Sequence, residues 1–84
     1  MTINKIEGVI FVNYGERLRI LRERKEKTQT EIANILKTTQ SYYAQYERNE
    51  RSIPFERAVE LAKYYEVSLD YIAGFTDNIN KNWR

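Results

Sequence analysis

Cysteine and histidine are both missing from the 84 residues. Without thiols there is neither a disulfide framework nor a thiolate metal site. Without imidazole, Ser-His-Asp and Cys-His catalysis, histidine-ligated zinc and histidine pH switching are all excluded. Carboxylates are present, but Asp and Glu are scattered and lie close to Lys or Arg, which argues against an enzyme. No metal, cofactor or small-molecule ligand is expected. Apolar runs never approach the ~20 residues a membrane helix needs, and the first residues lack the basic start and long apolar core of a signal peptide. A cytoplasmic chain without a membrane partner is therefore expected. There is no internal repeat and no low-complexity stretch. The net charge is only +2, weak support for a nucleic-acid partner. Six of the fourteen basic residues fall at 17–27 (Arg17, Arg19, Arg22, Arg24, Lys25, Lys27), a cluster whose plainest reading is a solvated helix face.

Enough aliphatic and aromatic residues are present for one folded core, and the length leaves no room for a second. Residues 1–12 carry Val9, Ile10, Phe11 and Val12 after Gly8, which suggests a short strand or extended arm. Such an arm either packs on helices or pairs with another chain. Asn13 and Glu16 resemble a capping box and predict a first helix to about Glu26, with Leu18 and Leu21 inward. Thr28-Gln29-Thr30-Glu31 is a better capping box, opening a short second helix that places Ile32, Ala33 and Leu36 on one stripe. Lys37-Thr38-Thr39 breaks that period, and Thr39 caps a third helix at residues 40–47. Tyr43 and Tyr46 face one way on it, while Ser41, Ala44, Gln45 and Arg48 line the other side. A polar loop at 48–52 follows, in which Asn49 suits a left-handed helix end. Pro54 fits the first turn of a fourth helix with Phe55, Ala58, Leu61, Ala62 and Tyr65 inward. Ser68 caps a fifth helix that carries Leu69 and Ile72 inward and stops at Gly74, leaving a tail at 75–84.

The spacing of the second and third helices is the informative feature. Two short capped helices, joined by a three-residue turn, meet steeply, and Ala33 is small enough to let their backbones approach. The third helix offers what a major-groove probe needs. Gln40 and Gln45 can each present a donor and an acceptor to adenine, and Thr39 and Ser41 offer short hydroxyls. From those residues alone, a solvated polar face is the plainer reading.

The stretch 22–74 resembles the Cro/phage-repressor helix-turn-helix family, also known for xenobiotic-response-element regulators. The resemblance is carried by Arg22, Gln29, Ile32, Ala33, Tyr43, Tyr46 and Glu47. Leu61-Ala62-Lys63 and Val67-Ser68-Leu69-Asp70-Tyr71-Ile72 extend it. It implies an all-α, five-helix lambda-repressor-like domain at 13–74, preceded by the short extended segment, whose third helix enters the major groove of double-stranded DNA. By the same resemblance, Thr39, Gln40, Ser41 and Gln45 occupy base-reading positions. Gln29 holds a phosphate and can brace the reading helix; Thr28, Tyr42, Arg48 and Arg51 fall where DNA-backbone contacts are usual. Tyr42 suits either a phosphate contact or a cover for Tyr46. Arg22 and Glu47 match a structural ion pair.

The family often has glycine where this chain has Glu26, Lys37, Asn49 and Glu66, so those turns must either avoid positive φ or carry strain. Ile53 occupies the family's loop-proline position, with Pro54 one residue later. Single modules bury little surface on DNA, which implies a homodimer on a palindromic operator. Residues 9–12, or Phe75, Ile79 and Trp83, are the candidate dimer surfaces. Two functional classes follow: a transcriptional regulator, as a repressor or the DNA-binding antitoxin of a toxin pair, or a protein-interaction module that keeps the fold. The modest charge leans to the second; Gln29, Gln40 and Gln45 in register lean more strongly to the first.

Overall fold

The computed structural model describes residues 14–79, arranged as five helices: α1 Tyr14–Arg24, α2 Gln29–Ile35, α3 Gln40–Glu47, α4 Phe55–Tyr65 and α5 Leu69–Ala73. No strand occurs among the described residues, in keeping with the all-α five-helix expectation. The anticipated arm at 1–12, the Asn13 cap and Trp83 lie outside the described residues.

Each helix start inside the chain follows its local chemistry. Thr28, Thr39 and Ser68 are N-caps whose hydroxyl oxygens accept from the backbone N–H three residues on, satisfying a donor the helix cannot use. Pro54 is not in the first turn of α4 as expected. It is the N-cap, extended at ψ 153, and its carbonyl accepts the Ala58 N–H at 3.0 Å.

The five helix ends share one device. Glu26, Lys37, Asn49, Glu66 and Gly74 all lie in the left-handed region, with φ of 57, 60, 61, 59 and 90. The residue after each donates its N–H back to the carbonyl five residues earlier, from Lys27 to Arg22, Thr38 to Ala33, Glu50 to Gln45, Val67 to Ala62 and Phe75 to Asp70. These are Schellman ends, which consume the carbonyls left over by the last turn. The family's glycine positions therefore keep their positive φ here even where glycine is replaced. Three side chains with a Cβ and no local hydrogen-bonding advantage accept the left-handed penalty, ~1–2 kcal/mol each. The same device shortens α1, which stops at Arg24 rather than near Glu26.

The core collects the inward stripes: Leu18 and Leu21 of α1, Ile32 and Ala33 of α2, Tyr43 and Tyr46 of α3, Leu61 and Tyr65 of α4, and Ile72 of α5. Tyr46 packs edge-on between Tyr43 and Tyr42, with ring centroids 6.1 and 5.8 Å away. Two positions depart from their expected faces. Ala44, read as part of the outer surface of α3, is 3% exposed, a methyl group being small enough for its neighbours to cover. Phe55, read as inward, is 69% exposed; it is the first residue of α4, beyond the end of the core it would have to reach.

Gly15 sets how closely α1 lies on α3. A Cβ built there would collide with the carbonyl oxygen of Glu47 and stand 2.9 Å from that of Tyr46. The Gly15 N–H, in the first turn of α1, donates to Asn49 Oδ1 at 3.0 Å. The residue that ends α3 thus also caps α1. At the far side Arg17 ties down the tail. Its guanidinium donates to the carbonyls of Tyr71 and Thr76 at 3.0 and 2.7 Å, pairs with Asp77 at 2.6 Å and stacks 4.6 Å from the Tyr71 ring centroid.

Candidate nucleic-acid interface

The α2–turn–α3 unit rests on a single carboxylate. Glu47, at the end of α3, accepts Arg22 Nε at 2.7 Å and Arg22 Nη2 at 3.1 Å. It also accepts Tyr43 Oη at 2.6 Å and Gln29 Nε2 at 3.0 Å. Its side chain is 4% exposed and that of Arg22 13%. Burial pushes the Glu47 carboxyl up, but the bonds from Arg22, Tyr43 and Gln29 together outweigh it and hold the group below the ordinary carboxylate value. Burial and the bond to Glu47 push the Tyr43 phenol well above its usual range, so it serves as a neutral donor. Arg22 also donates through Nη1 to the Lys27 carbonyl at 2.9 Å, closing the end of α1. The Arg22–Glu47 pair therefore joins α1, α2 and α3 at one point.

From this point an ordered chain of amides runs to the exposed surface. A carboxylate only accepts, so the Gln29 amide must turn its NH2 toward Glu47. Its Oε1 is thereby left to accept Gln40 Nε2 at 2.7 Å. Gln40 opens α3, and its side chain is held sideways against the start of α2. One Gln40 N–H is consumed by Gln29, leaving a second N–H and the carbonyl oxygen.

The exposed side of α3 carries Ser41, Gln45 and Arg48, spaced i, i+4 and i+7 on one helix face. Thr39 is engaged as the cap of α3, its Oγ1 accepting the Tyr42 N–H at 3.1 Å. Thr28 is engaged likewise: Oγ1 accepts the Glu31 N–H at 3.1 Å, and the Thr28 N–H donates to Glu31 Oε1 at 2.8 Å. That backbone bond leads in holding the Glu31 carboxyl below its usual value. Thr28 Oγ1 in addition donates its proton to Glu31 Oε1 at 3.3 Å, whereas the Thr39 hydroxyl keeps its proton for an outside acceptor.

The loop side is basic but partly self-neutralised. Arg48 makes a bidentate pair with Glu50, both bonds 2.9 Å, with each side chain more than half exposed. Arg51 Nε donates to Gln45 Oε1 at 3.1 Å, and its guanidinium lies 4.5 Å from the Tyr42 ring centroid. The Tyr42 ring thus packs edge-on with Tyr46 and also carries a cation, which combines packing with a basic surface. Arg57, which the sequence did not single out, joins this group from α4. It donates to Tyr46 Oη at 2.8 Å and sits 5.7 Å from the Tyr42 centroid. Among the described residues neither Arg51 nor Arg57 has an acidic partner in an ion pair. The basic run at 17–27 divides differently: Arg17 and Arg22 are half-buried structural cations, and Arg19 pairs with Glu16 and Glu23 on the exposed face.

Two short capped helices packed on each other, with Ala33 buried on the first and a braced glutamine opening the second, define a helix-turn-helix. The chain belongs to the Cro/C1-type helix-turn-helix family, whose profile matches residues 18–72. A curated relative, the uncharacterized HTH-type transcriptional regulator YobD of Bacillus subtilis strain 168, is 38% identical over 65 residues. That match covers 77% of this chain and 58% of the relative, so the chain spans less than two thirds of the relative's length. Two solved structures are similar, each with a TM-score of 0.65. The P22 c2 repressor in complex with a synthetic operator is 27% identical, over 70% of this chain and 89% of its own. The restriction-modification controller protein C.AhdI from Aeromonas hydrophila is 28% identical, over 73% and 92%.

Proposed function

We propose that this chain is a sequence-specific DNA-binding transcriptional regulator, acting as a repressor, whose 13–74 domain reads the major groove with α3. The observation that carries the reading is the state of Gln40. Gln29 takes one of its amide protons and leaves one donor and one acceptor, the pair that adenine N7 and N6 require. The side chain is oriented before DNA arrives, which lowers the entropy lost on binding. Ser41 and Gln45 extend the reading face, and Thr39 adds its hydroxyl. Thr28, Gln29, Tyr42, Arg48 and Arg51 position the module on the phosphates, with Arg48 exchanging Glu50 for a phosphate oxygen. The P22 c2 repressor was solved on an operator, which supports the same kind of partner here. The role is binding rather than catalysis, in the cytoplasm, by a homodimer on a palindromic operator.

Selection from a randomised duplex pool, followed by titrations across a salt series, tests this. Gln40→Ala and Gln45→Ala should each relax preference at particular base pairs by ~1–3 kcal/mol. Arg48→Ala should weaken binding to all sequences alike and reduce the salt slope by about one. Absence of salt-sensitive binding to any duplex at micromolar protein would sink the proposal.

A further inference from the structure

Asn49 ends α3 in the left-handed region at φ 61, and the Glu50 N–H returns to the Gln45 carbonyl at 2.9 Å. The chain thus folds back over the last turn of α3 and brings Arg51 alongside the Gln45 side chain. There Arg51 Nε donates to Gln45 Oε1 at 3.1 Å, and the guanidinium lies 4.5 Å from the Tyr42 ring centroid. Two side chains of α3 therefore hold one cation of the loop, while its neighbour Arg48 is engaged with Glu50. A guanidinium only donates, so the Gln45 amide can meet it only through its oxygen. Both Gln45 amide protons remain for an outside acceptor.

Gln40 is preset in the opposite sense. It gives one amide proton to Gln29 at 2.7 Å and keeps one donor together with its oxygen. We propose that Arg51 is a positioning residue for base reading: it fixes the Gln45 amide as a pair of donors, so that Gln45 selects guanine whereas Gln40 selects adenine. This rests on the DNA reading above. Guanine presents two acceptors in the major groove, N7 and O6, where adenine presents the N7 acceptor and the N6 donor. To read adenine, the Gln45 oxygen must accept the N6 proton. That oxygen already carries a cationic donor, and a second donor there meets the positive charge of Arg51 at close range. Turning the amide over to free the oxygen is worse, since it sets N–H against N–H. Guanine asks for neither.

Arginine suits this task better than lysine. Its planar fork spends Nε on Gln45 and keeps the two terminal nitrogens for a phosphate. One side chain thus couples the base read by Gln45 to the seating of the loop on the DNA backbone. The ring beneath it is itself anchored. Tyr42 packs edge-on against Tyr46, and Arg57 of α4 donates to Tyr46 Oη at 2.8 Å. The support of the Gln45 amide therefore runs through Arg51 and Tyr42 to the buried aromatic side of α3, whereas that of Gln40 runs through Gln29 to Glu47.

Titrations of the full chain on duplexes obtained by selection, for wild type, Arg51→Met, Arg51→Lys and Gln45→Ala, test the assignment. The base pair read by Gln45 is the one at which Gln45→Ala relaxes preference. Wild type should favour guanine over adenine there by about 5-fold or more. Arg51→Met keeps an apolar stem on Tyr42 but no donor, and should lose most of that ratio while the preference at the Gln40 pair stays. Arg51→Lys keeps a donor and should restore part of it. In a Gln45→Ala background, Arg51→Met should weaken all duplexes alike and change no preference. Adenine chosen at that pair by the wild type overturns the proposal, as does an Arg51→Met variant that loses affinity uniformly with its preference intact. Either result makes Arg51 a phosphate contact only and leaves the DNA reading standing. Nitrogen relaxation of the Gln45 side-chain NH2 in the free protein is a second measurement, expected to show an amide that is restrained in wild type and loosened in Arg51→Met. Equal mobility in the two would also defeat the assignment. A wild type that binds no duplex overturns the DNA reading and the base choice together.

Discussion

Glu47→Gln keeps the shape of a buried side chain while removing its charge and one of its two acceptor oxygens. In the native chain four donor bonds converge on that carboxylate. An amide has a single acceptor oxygen, and its NH2 group would face an N–H or O–H with nothing to accept. Arg22, largely buried, is left without its counter-charge. Breaking one side of such a pair costs ~3–5 kcal/mol, whereas a domain of this size is stable by something of order 5–10 kcal/mol. About half the stability should therefore go, lowering the melting temperature by at least ~12 °C. Urea denaturation followed by far-UV circular dichroism measures the loss, and a double-mutant cycle with Arg22→Met isolates the coupling, expected at ~2 kcal/mol or more. The difference between wild type and variant also has a pH signature. The Glu47 carboxyl is depressed in the fold, so its contribution is complete above its ordinary value of 4.5 and is lost as pH falls through the lower folded value. The gap should be constant from neutral pH down to about 4.5 and shrink below it. A loss under ~1 kcal/mol at neutral pH, or strictly additive single variants, would refute the convergence of three helices on this carboxylate.

Gly15→Ala should destabilise, although alanine favours an exposed helix by ~1 kcal/mol over glycine. The added methyl has backbone atoms of Glu47 and Tyr46 in its path and must lift α1 from α3, for a net loss of ~2 kcal/mol or more. Thermal melts decide the sign, and a stabilised variant would contradict the close approach. Glu66→Gly should relieve the left-handed penalty and raise stability by up to ~1 kcal/mol, part of the gain being offset by the freer unfolded chain. Glu66→Val at the same site should lower it by ~1 kcal/mol or more. Equal urea midpoints for glycine and valine would count against a positive φ at that position.

What local chemistry specifies was legible in the sequence. Thr28 and Glu31 announce the start of α2, Thr39 that of α3, and Ser68 and Gly74 bracket α5, because capping is an interaction among residues within one turn. The inward face of α2 and the burial of Tyr43 and Tyr46 follow from period alone. Contacts that depend on distant chain were not legible. Arg17 sits in a basic run that reads as solvated, yet it binds carbonyls more than fifty residues away. Gly15 shows in sequence only as an expensive residue inside a helix, and Arg57 only as a charge on an amphipathic one. Nothing in Glu26, Lys37 or Glu66 signals a left-handed backbone; the family's glycines at those positions were the one clue, and the helices on either side enforce it. Phe55 continues an apolar period past the point where there is core to receive it.

The chain of amides from Glu47 through Gln29 to Gln40 limits how this module can acquire a new target sequence. Gln29 cannot reverse its amide while Glu47 is ionised, so its oxygen always faces position 40 and always needs a donor there. Residues that carry an N–H at that reach, such as asparagine, lysine or arginine, can replace Gln40 and keep the bond. A carboxylate cannot, and would set two acceptors against each other. Position 41 has no such duty. Variation in the bases read should therefore be cheap at the middle of α3 and confined to donor-bearing side chains at its start. The same carboxylate that holds three helices together thus also restricts which bases the first reading position can select.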